Sequence, residues 1–317
     1  MGRVLTTAAV SVFLLGAVLA AQQPVFRGSG DIVRVFSTVT DRDGKLVTDL
    51  ARDDFEVRDE GKPQPITQFD NTPQPIRLVV MLDVSGSMEG NLQLLRQAAD
   101  ELFVRLRPDD VARVGSFGDS VDVGARFTKD TRELRESLPR SISPDAPTPL
   151  YRAIDEAITT FGSERDMRSV ILVLSDGKDS GPISFNKRYV SQVEVIERAR
   201  REDVMVYGIG MRSRGRRPPP GLGPGGLQAA LEADLPDSGL ALVAEHTGGG
   251  YTEIRPNQDL GAAFARVADE LHSQYLLGYA PPRKDGKVHE IEVKVVKVAQ
   301  RGLKARARKT YVAAKGA

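Results

Sequence analysis

Residues 78–91 read LVVMLDVSGSMEGN: an apolar run stops on Asp83, and Ser85 and Ser87 follow at alternate positions. A second apolar run, SVILVLSD, stops on Asp176. Between them, DAPTPLYRAI places Thr148 at the mouth of a helical pattern. Two carboxylates and three hydroxyls are all hard oxygen donors, the set that suits a divalent cation which keeps some of its waters. Mg2+ is the natural occupant, with Ca2+ or Mn2+ as tolerable substitutes. Each residue also has a plainer use. Asp83 could end a strand in a turn, Ser85 and Ser87 could cap the next helix, and Thr148-Pro149 could be an N-cap with its first helical residue. Asp176-Gly177 is an ordinary turn dipeptide. The pattern is weak residue by residue and gains its weight from the combination.

For these groups to meet, the two apolar runs must be neighbouring strands with their carboxyl ends on one rim. IRLVVML has the continuous apolar character of a strand covered on both faces. In NLQLLRQAADELFVRLR, Leu92, Leu95, Ala99, Leu102, Phe103 and Leu106 fall at helical spacing. LYRAIDEAITTF, RYVSQVEVIERARRED, a short stretch near 239–247 and NQDLGAAFARVADELHSQ read as further helices. DDVARVGSFGD, SVDVGARF, VMVYGIG and GGGYTEI read as strands, and RGRRPPPGLGPGG as an exposed loop. This alternation predicts an α/β fold over residues 76–272, with a doubly wound, mostly parallel sheet of Rossmann-like type. Such a sheet binds ligands outside the carboxyl ends of its strands, where the strand order reverses.

The flanks, 21–75 and 273–317, have a different texture. DIVRVFSTVTD and DFEVRDEGKPQPITQF read as strands, with turns at Asp43-Gly44 and at Glu60-Gly61-Lys62-Pro63. YLLGYA, HEIEVKVVKV and LKARARKTYV follow the α/β unit, with Asp285-Gly286 turning between the first two. Pieces this short do not sustain a sheet alone. The two flanks are therefore expected to form one β-sandwich, with the α/β unit inserted between them.

Bulk properties narrow the function. Of 317 residues, 40% are hydrophobic, which supplies a sizeable core. A net charge of +1 makes no case for nucleic acid, and the absence of Trp removes a stacking platform. There is no cysteine, which excludes disulfides, thiolate metal sites and a lipid-bearing N-terminal Cys. Arg3 precedes VSVFLLGAVL (10–19), and Val18 and Ala20 fit cleavage after Ala20. Residues 1–20 are thus expected to be a signal peptide and the protein to be exported, periplasmic or secreted. An uncleaved Val4–Ala21 anchor would be its one membrane contact. His246, His272 and His289 sit in no H-E-x-x-H pattern, and the chain has no G-x-S-x-G elbow and no Walker A loop, so an enzyme is not expected. Lys304, Arg306 and Arg308 alternate along the last apolar segment and are expected on one solvated sheet face, free to meet anionic envelope polymer or lipid headgroups.

D83-V-S85-G-S87 resembles the metal-ion-dependent adhesion site (MIDAS) of von Willebrand factor type A (VWA) domains, and Thr148 and S175-D176-G177 fall where that family places its other ligands. The resemblance covers roughly 76–272. VTDRDGKLVTDLARDDFEVRDEGKPQPI before it and SQYLLGYAPP and GLKARARKTYVA after it resemble a bacterial family of exported VWA-related proteins. It implies that Asp83 and Asp176 hold the metal largely through water, that Ser85 and Ser87 ligate directly, and that Thr148 does so in some states. One position is left for a carboxylate from a protein partner. Neutral hydroxyls leave the metal under-neutralised, which draws in an outside acid. One departure stands out: relatives commonly have a glycine-rich Thr loop, and this chain has Ala146-Pro147-Thr148-Pro149, stiffened by two prolines. The expected function is metal-dependent binding of an acidic protein ligand. The alternative is a structural cell-envelope protein whose metal site is only stabilising or vestigial.

Overall fold

The computed structural model describes residues 32–162, 167–176, 178–181, 188–212, 237–255, 258–297 and 302–315. The expected signal peptide (1–20) and nearly all of the Pro/Gly-rich loop lie outside the described residues. Among the described residues no helix is long and apolar enough to cross a membrane.

The N-terminal flank forms β1 (Val33–Thr40), β2 (Phe55–Asp59), β3 (Lys62–Gln64) and β4 (Gln68–Asp70). The α/β unit follows: β5 (Ile76–Asp83), α1 (Leu92–Phe103), β6 (Val111–Phe117), β7 (Val121–Asp122), α2 (Thr131–Glu136) and α3 (Leu150–Thr159). It continues with β8 (Arg168–Ser175), α4 (Gln192–Glu202), β9 (Val204–Met211), α5 (Ser238–Thr247), β10 (Tyr251–Ile254) and α6 (Leu260–Leu271). The C-terminal flank adds β11 (Tyr275–Tyr279), β12 (Val288–Val295), β13 (Lys304–Arg306) and β14 (Thr310–Val312).

The central sheet has the order β10-β9-β8-β5-β6-β7, parallel throughout except for the short β7. All eight residues of β5 are buried because each face is covered. Leu78, Val80 and Leu82 point into one core with Leu95, Leu102 and Phe264 from α1 and α6. Val79 and Met81 point into the other, with Ile154, Val195 and Val243 from α3, α4 and α5. From β5 the chain winds first to β6 on one side and then to β8 on the other, so the order reverses at β5.

Neither flank makes a sheet of its own. One sheet runs β13-β1-β11-β4 and the other β14-β12-β2-β3, so N- and C-terminal strands are mixed in both. Val35, Val57, Leu277 and Ile291 come from both sheets and share one core. The segment LKARARKTYV departs from the single strand expected of it: β13 pairs with β1, and β14 pairs with β12 in the other sheet. Period-2 alternation is the same in either sheet, and its break at Lys309, between β13 and β14, is the slight mark that the crossing leaves in the sequence. Nor do its charges form one solvated face. Arg306 binds Glu270, Arg308 binds Asp203, and Lys309 reaches Glu245, which ties the sandwich to α6, α4 and α5. Asp285-Gly286 likewise links two sheets and closes no hairpin, and Lys62-Pro63 belongs to β3 rather than to the turn.

Two buried polar clusters brace this architecture. At the seam, the Glu270 carboxylate accepts from Thr38 Oγ1 at 3.1 Å, from Tyr207 OH at 2.6 Å and from Arg306. Gln274 Nε2 donates to Thr38 Oγ1 at 2.8 Å. Inside the sandwich, His289 Nδ1 lies 3.1 Å from Asp59 Oδ1 and Nε2 lies 3.1 Å from Asp285 Oδ1. Asp59 Oδ2 also accepts from Tyr279 and Tyr311 at 2.9 and 2.7 Å. Both ring nitrogens face carboxylate oxygens, so the ring satisfies both only as the imidazolium. Burial lowers its pKa, but the hydrogen bonds to Asp59 and Asp285 outweigh burial and hold it above the ordinary 6.5. The stabilisation is therefore complete below 6.5 and lost as pH rises through the raised value. The urea midpoint should fall between pH 6.5 and pH 9, and His289→Gln should remove that slope; an unchanged slope in the variant would refute the assignment.

Candidate metal centre

The site grows from strand register. In the parallel β5–β8 pair, Leu82 lies opposite Leu174, so Asp83 and Ser175 end their strands side by side and Asp176 follows at once. Ser175 Oγ donates to Asp83 Oδ2 at 2.6 Å, and the Ser85 amide donates to Asp83 Oδ1 at 2.9 Å. A 3-10 turn at Gly86–Met88, pinned by the buried Met88, then carries Ser87 back over the strand ends. Ser85 Oγ and Ser87 Oγ are 2.9 Å apart, and Ser87 Oγ donates to Asp176 Oδ1 at 2.6 Å. Asp83, Ser85, Ser87 and Asp176 thus form one continuous hydrogen-bonded group. Asp83 and Asp176 are fully buried, whereas Ser87 is exposed at the mouth.

The loop that carries Thr148 docks beside this group. The Ser143 amide donates to Val84 O at 3.1 Å, which docks the proline-rich loop on the serine turn. The Thr148 amide donates to Ser180 Oγ at 2.8 Å, and the Ser180 amide returns a bond to Thr148 O at 3.0 Å. Thr148 is buried and is held by its backbone. It is not the helix cap: Pro149 occupies that position with no side-chain cap bond. Ser85 makes no side-chain cap bond either. The plainer capping roles open to these residues are thus not taken.

Gly86 shows how closely the two loops meet. A Cβ there would stand 1.7 Å from the Pro144 carbonyl oxygen. Beyond the rim, Asp237 accepts from Tyr151 OH at 2.9 Å and from the Asp179 amide at 2.9 Å, bracing the loop after Asp176. Ser180 and Asp237 were not foreseen as parts of the site, whereas Ser175 was, within S175-D176-G177. For Ser175 a signal existed, since it precedes Asp176 on a strand that has to lie beside Asp83. Asp237 is the N-cap of α5, accepting from the Gly239 amide at 2.7 Å, and its reach to Tyr151 and Asp179 has no counterpart in the local sequence.

Burial sets the charge balance of the rim. Burial, and then the nearby charge of Asp83, push the Asp176 carboxyl up to about 6. Burial also pushes Asp83 up, against opposing hydrogen bonds from Ser175 and Ser85. Among the described residues no three His, Cys, Asp or Glu side chains gather to hold a metal. A cation here would have to be held by two carboxylates supplemented with hydroxyls, a hard-oxygen set that fits Mg2+.

Residues 78–178 match the family model of the von Willebrand factor type A domain. The chain contains a VWA domain. The matched interval of the VWA domain includes Asp83, Ser85, Ser87, Thr148 and Asp176. Among solved structures, the chain is similar to the conserved hypothetical protein BatB from Bacteroides thetaiotaomicron, at 18% identity over 62% of this chain and 98% of that one, with a TM-score of 0.45. It is also similar to a von Willebrand factor type A protein from Catenulispora acidiphila, at 12% identity over 79% and 74% of the two chains, with a TM-score of 0.48. A third likeness is to the vWF domain of the type V pili tip protein Mfa5 from Porphyromonas gingivalis, at 14% identity over 62% and 95%, with a TM-score of 0.41. No curated protein matches the chain.

Proposed function

We propose that the protein is an exported, non-enzymatic binding module whose VWA domain docks an acidic residue of a protein partner through a divalent cation, with Mg2+ the preferred ion. The observation that carries this reading is the pair of buried carboxylates, Asp83 and Asp176, linked through Ser85 and Ser87 at an exposed mouth. Asp83, Ser85, Ser87, Thr148 and Asp176 would hold the ion. When bound, it would supply a positive charge that neutral hydroxyls leave only partly compensated. The chain's own residues do the rest. β5 and β8 fix the carboxylates side by side, Gly86 lets the Thr148 loop close over the serine turn, and Ser87 keeps the mouth accessible. Export rests on the signal-peptide pattern of residues 1–20.

The test is capture from cell-envelope extract on the immobilised full chain, with Mg2+, with EDTA, and with Asp83→Ala. Partners retained only by the wild type with Mg2+, and eluted by free glutamate, are the expected result. Identical recovery in all three conditions would overturn the reading in favour of a structural role with a vestigial site. A sharper prediction concerns Gly86→Ala. The added Cβ has to displace Pro144 and with it the Thr148 loop, so calorimetric Mg2+ affinity should fall by about 10–100-fold. The melting transition should remain cooperative. Wild-type affinity in this variant would mean that the Thr148 loop does not contribute to the ion.

A further inference from the structure

At the opposite end of the central sheet from the carboxylate rim, a cavity of about 40 Å3 separates the VWA domain from the sandwich. Arg168 at the start of β8, Arg200 in the last turn of α4, His246 in the last turn of α5, and Arg34, Arg308 and Thr310 from the sandwich line it. Among the described residues the one acidic side chain in its wall is Asp203, which already pairs with Arg308. Among the described residues, four arginines thus line the cavity with a single carboxylate.

Five buried polar atoms around this cavity have no hydrogen-bond partner among the described residues: Arg168 Nε, Arg200 Nε, Arg308 Nε, His246 Nδ1 and Thr310 Oγ1. Buried donors in a native protein are normally satisfied, so a group of this size in one place calls for an acceptor. Arg168 makes the case most sharply. It is only 8% exposed, and its two terminal nitrogens donate to neutral acceptors, Gln274 Oε1 and Leu271 O. Its hydrogen-bond partners carry no charge, and burial pushes the guanidinium down to about 10, outweighing the Phe36 ring under it and the more distant Asp110, which favour the cation. Arg200 has neither a hydrogen-bonding nor an ionic partner among the described residues. The negative ends of α4 and α5 account for a cation near each helix terminus. They do not account for buried Nε donors left without an acceptor.

We propose that this cavity binds a tetrahedral oxyanion of the phosphate class, held by Arg168, Arg200, Arg308, His246 and Thr310. The donors belong to β8, α4, α5 and the β13–β14 segment, so they reach the cavity from four separate parts of the chain. A carboxylate presents two oxygens on one side, whereas a phosphate presents oxygens in every direction, and arginine N–H groups favour it strongly. The space holds about three water volumes, which matches one small oxyanion. Because the donors come from both the VWA domain and the sandwich, the bound ion would cross-link them and stabilise the folded chain by mass action. This site is independent of the proposed cation and of any partner at the rim.

The test uses the full chain in EDTA, which keeps the rim out of the measurement. Inorganic phosphate at about ten times its Kd should raise the melting midpoint by about 3 °C. Sodium chloride and sodium acetate at the same ionic strength should not. Arg200→Gln and Thr310→Val should each fold, with Kd for phosphate weakened about ten-fold, and phosphorus-31 line broadening seen with the wild type should shrink in both variants. An equal shift with glycerol phosphate would show that the site takes a phosphoryl group carried on a larger molecule; a shift with inorganic phosphate alone would restrict it to the free ion. Equal midpoints in phosphate and chloride, or phosphate binding unaltered in both variants, would overturn the proposal.

Discussion

Asp176→Asn is expected to make the metal-free protein more stable at neutral pH and to abolish its response to Mg2+. The Asp176 carboxyl titrates near 6 in the folded state against an ordinary 3.8, because it is buried and faces Asp83. The folded chain thus binds this proton more tightly than the unfolded one. Its stability is highest in acid, falls as pH rises from 3.8 to about 6, and stays low above that. The charged form costs the fold about 3 kcal/mol at pH 7. A neutral amide escapes that cost and can still accept from Ser87 through its carbonyl oxygen. Allowing for imperfect fit, the gain in EDTA should be about 1–2 kcal/mol at pH 7.5 and near zero at pH 4, read from urea midpoints. Mg2+ should raise the wild-type midpoint at pH 7.5 and leave the variant where it was. A variant that is less stable than wild type at pH 7.5 in EDTA would show that the carboxylate pair is no electrostatic burden. The proposed cation site would then lose its driving force.

The same rim shows how far residue types and spacing carry. Asp83 and Asp176 were legible because each ends an apolar run too continuous to be anything but a doubly covered strand, and a parallel sheet gives two such strand ends a common rim. Ser85 and Ser87 followed from the turn that Gly86 permits. Thr148 was placed on the rim, but its anchoring through Ser180 depends on how two loops meet, which no local pattern encodes. The flanking sandwich was legible in outline, since short strands on both sides of an α/β unit need each other. Its internal crossing was not. LKARARKTYV alternates from Leu303 to Arg308 and breaks at Lys309, too slight a mark to place the crossing, and the ion pairs of Arg306, Arg308 and Lys309 with α6, the end of α4 and α5 sit where the chain leaves one sheet for the other. The six-residue α2 was also missed, because its amphipathic signal is shorter than two turns and its Asp130 cap reads equally well as a loop residue.

Glu270→Ala is expected to be the most damaging single substitution at the seam. Glu270 is 8% exposed, Tyr207 and Thr38 are 1% exposed, and all three come from different elements. The carboxylate is the common acceptor of Tyr207, Thr38 and Arg306. Removing it leaves a hydroxyl and a phenol without that acceptor in a dry environment and an arginine without its counter-charge, which costs about 3–5 kcal/mol. Glu270→Gln keeps an acceptor and loses only the charge, so its cost should be nearer about 1–2 kcal/mol. Arg306→Ala in the Glu270→Ala background should restore part of the loss, because it removes the stranded cation; a coupling of about 1 kcal/mol or more between the two sites is the expected result of the double-mutant cycle. The position of the lesion is equally specific. Glu270 lies in the last turn of α6, five residues before β11, and its partners Thr38 and Arg306 are paired neighbours on β1 and β13. Amide exchange should therefore accelerate first across β1, β13 and the α6 C-terminus, while β5 and β8 in the centre of the parallel sheet keep their protection. Uniform acceleration throughout the chain would mean that seam and sheet unfold as one unit, and strictly additive single mutants would mean that Arg306 contributes to the seam without Glu270.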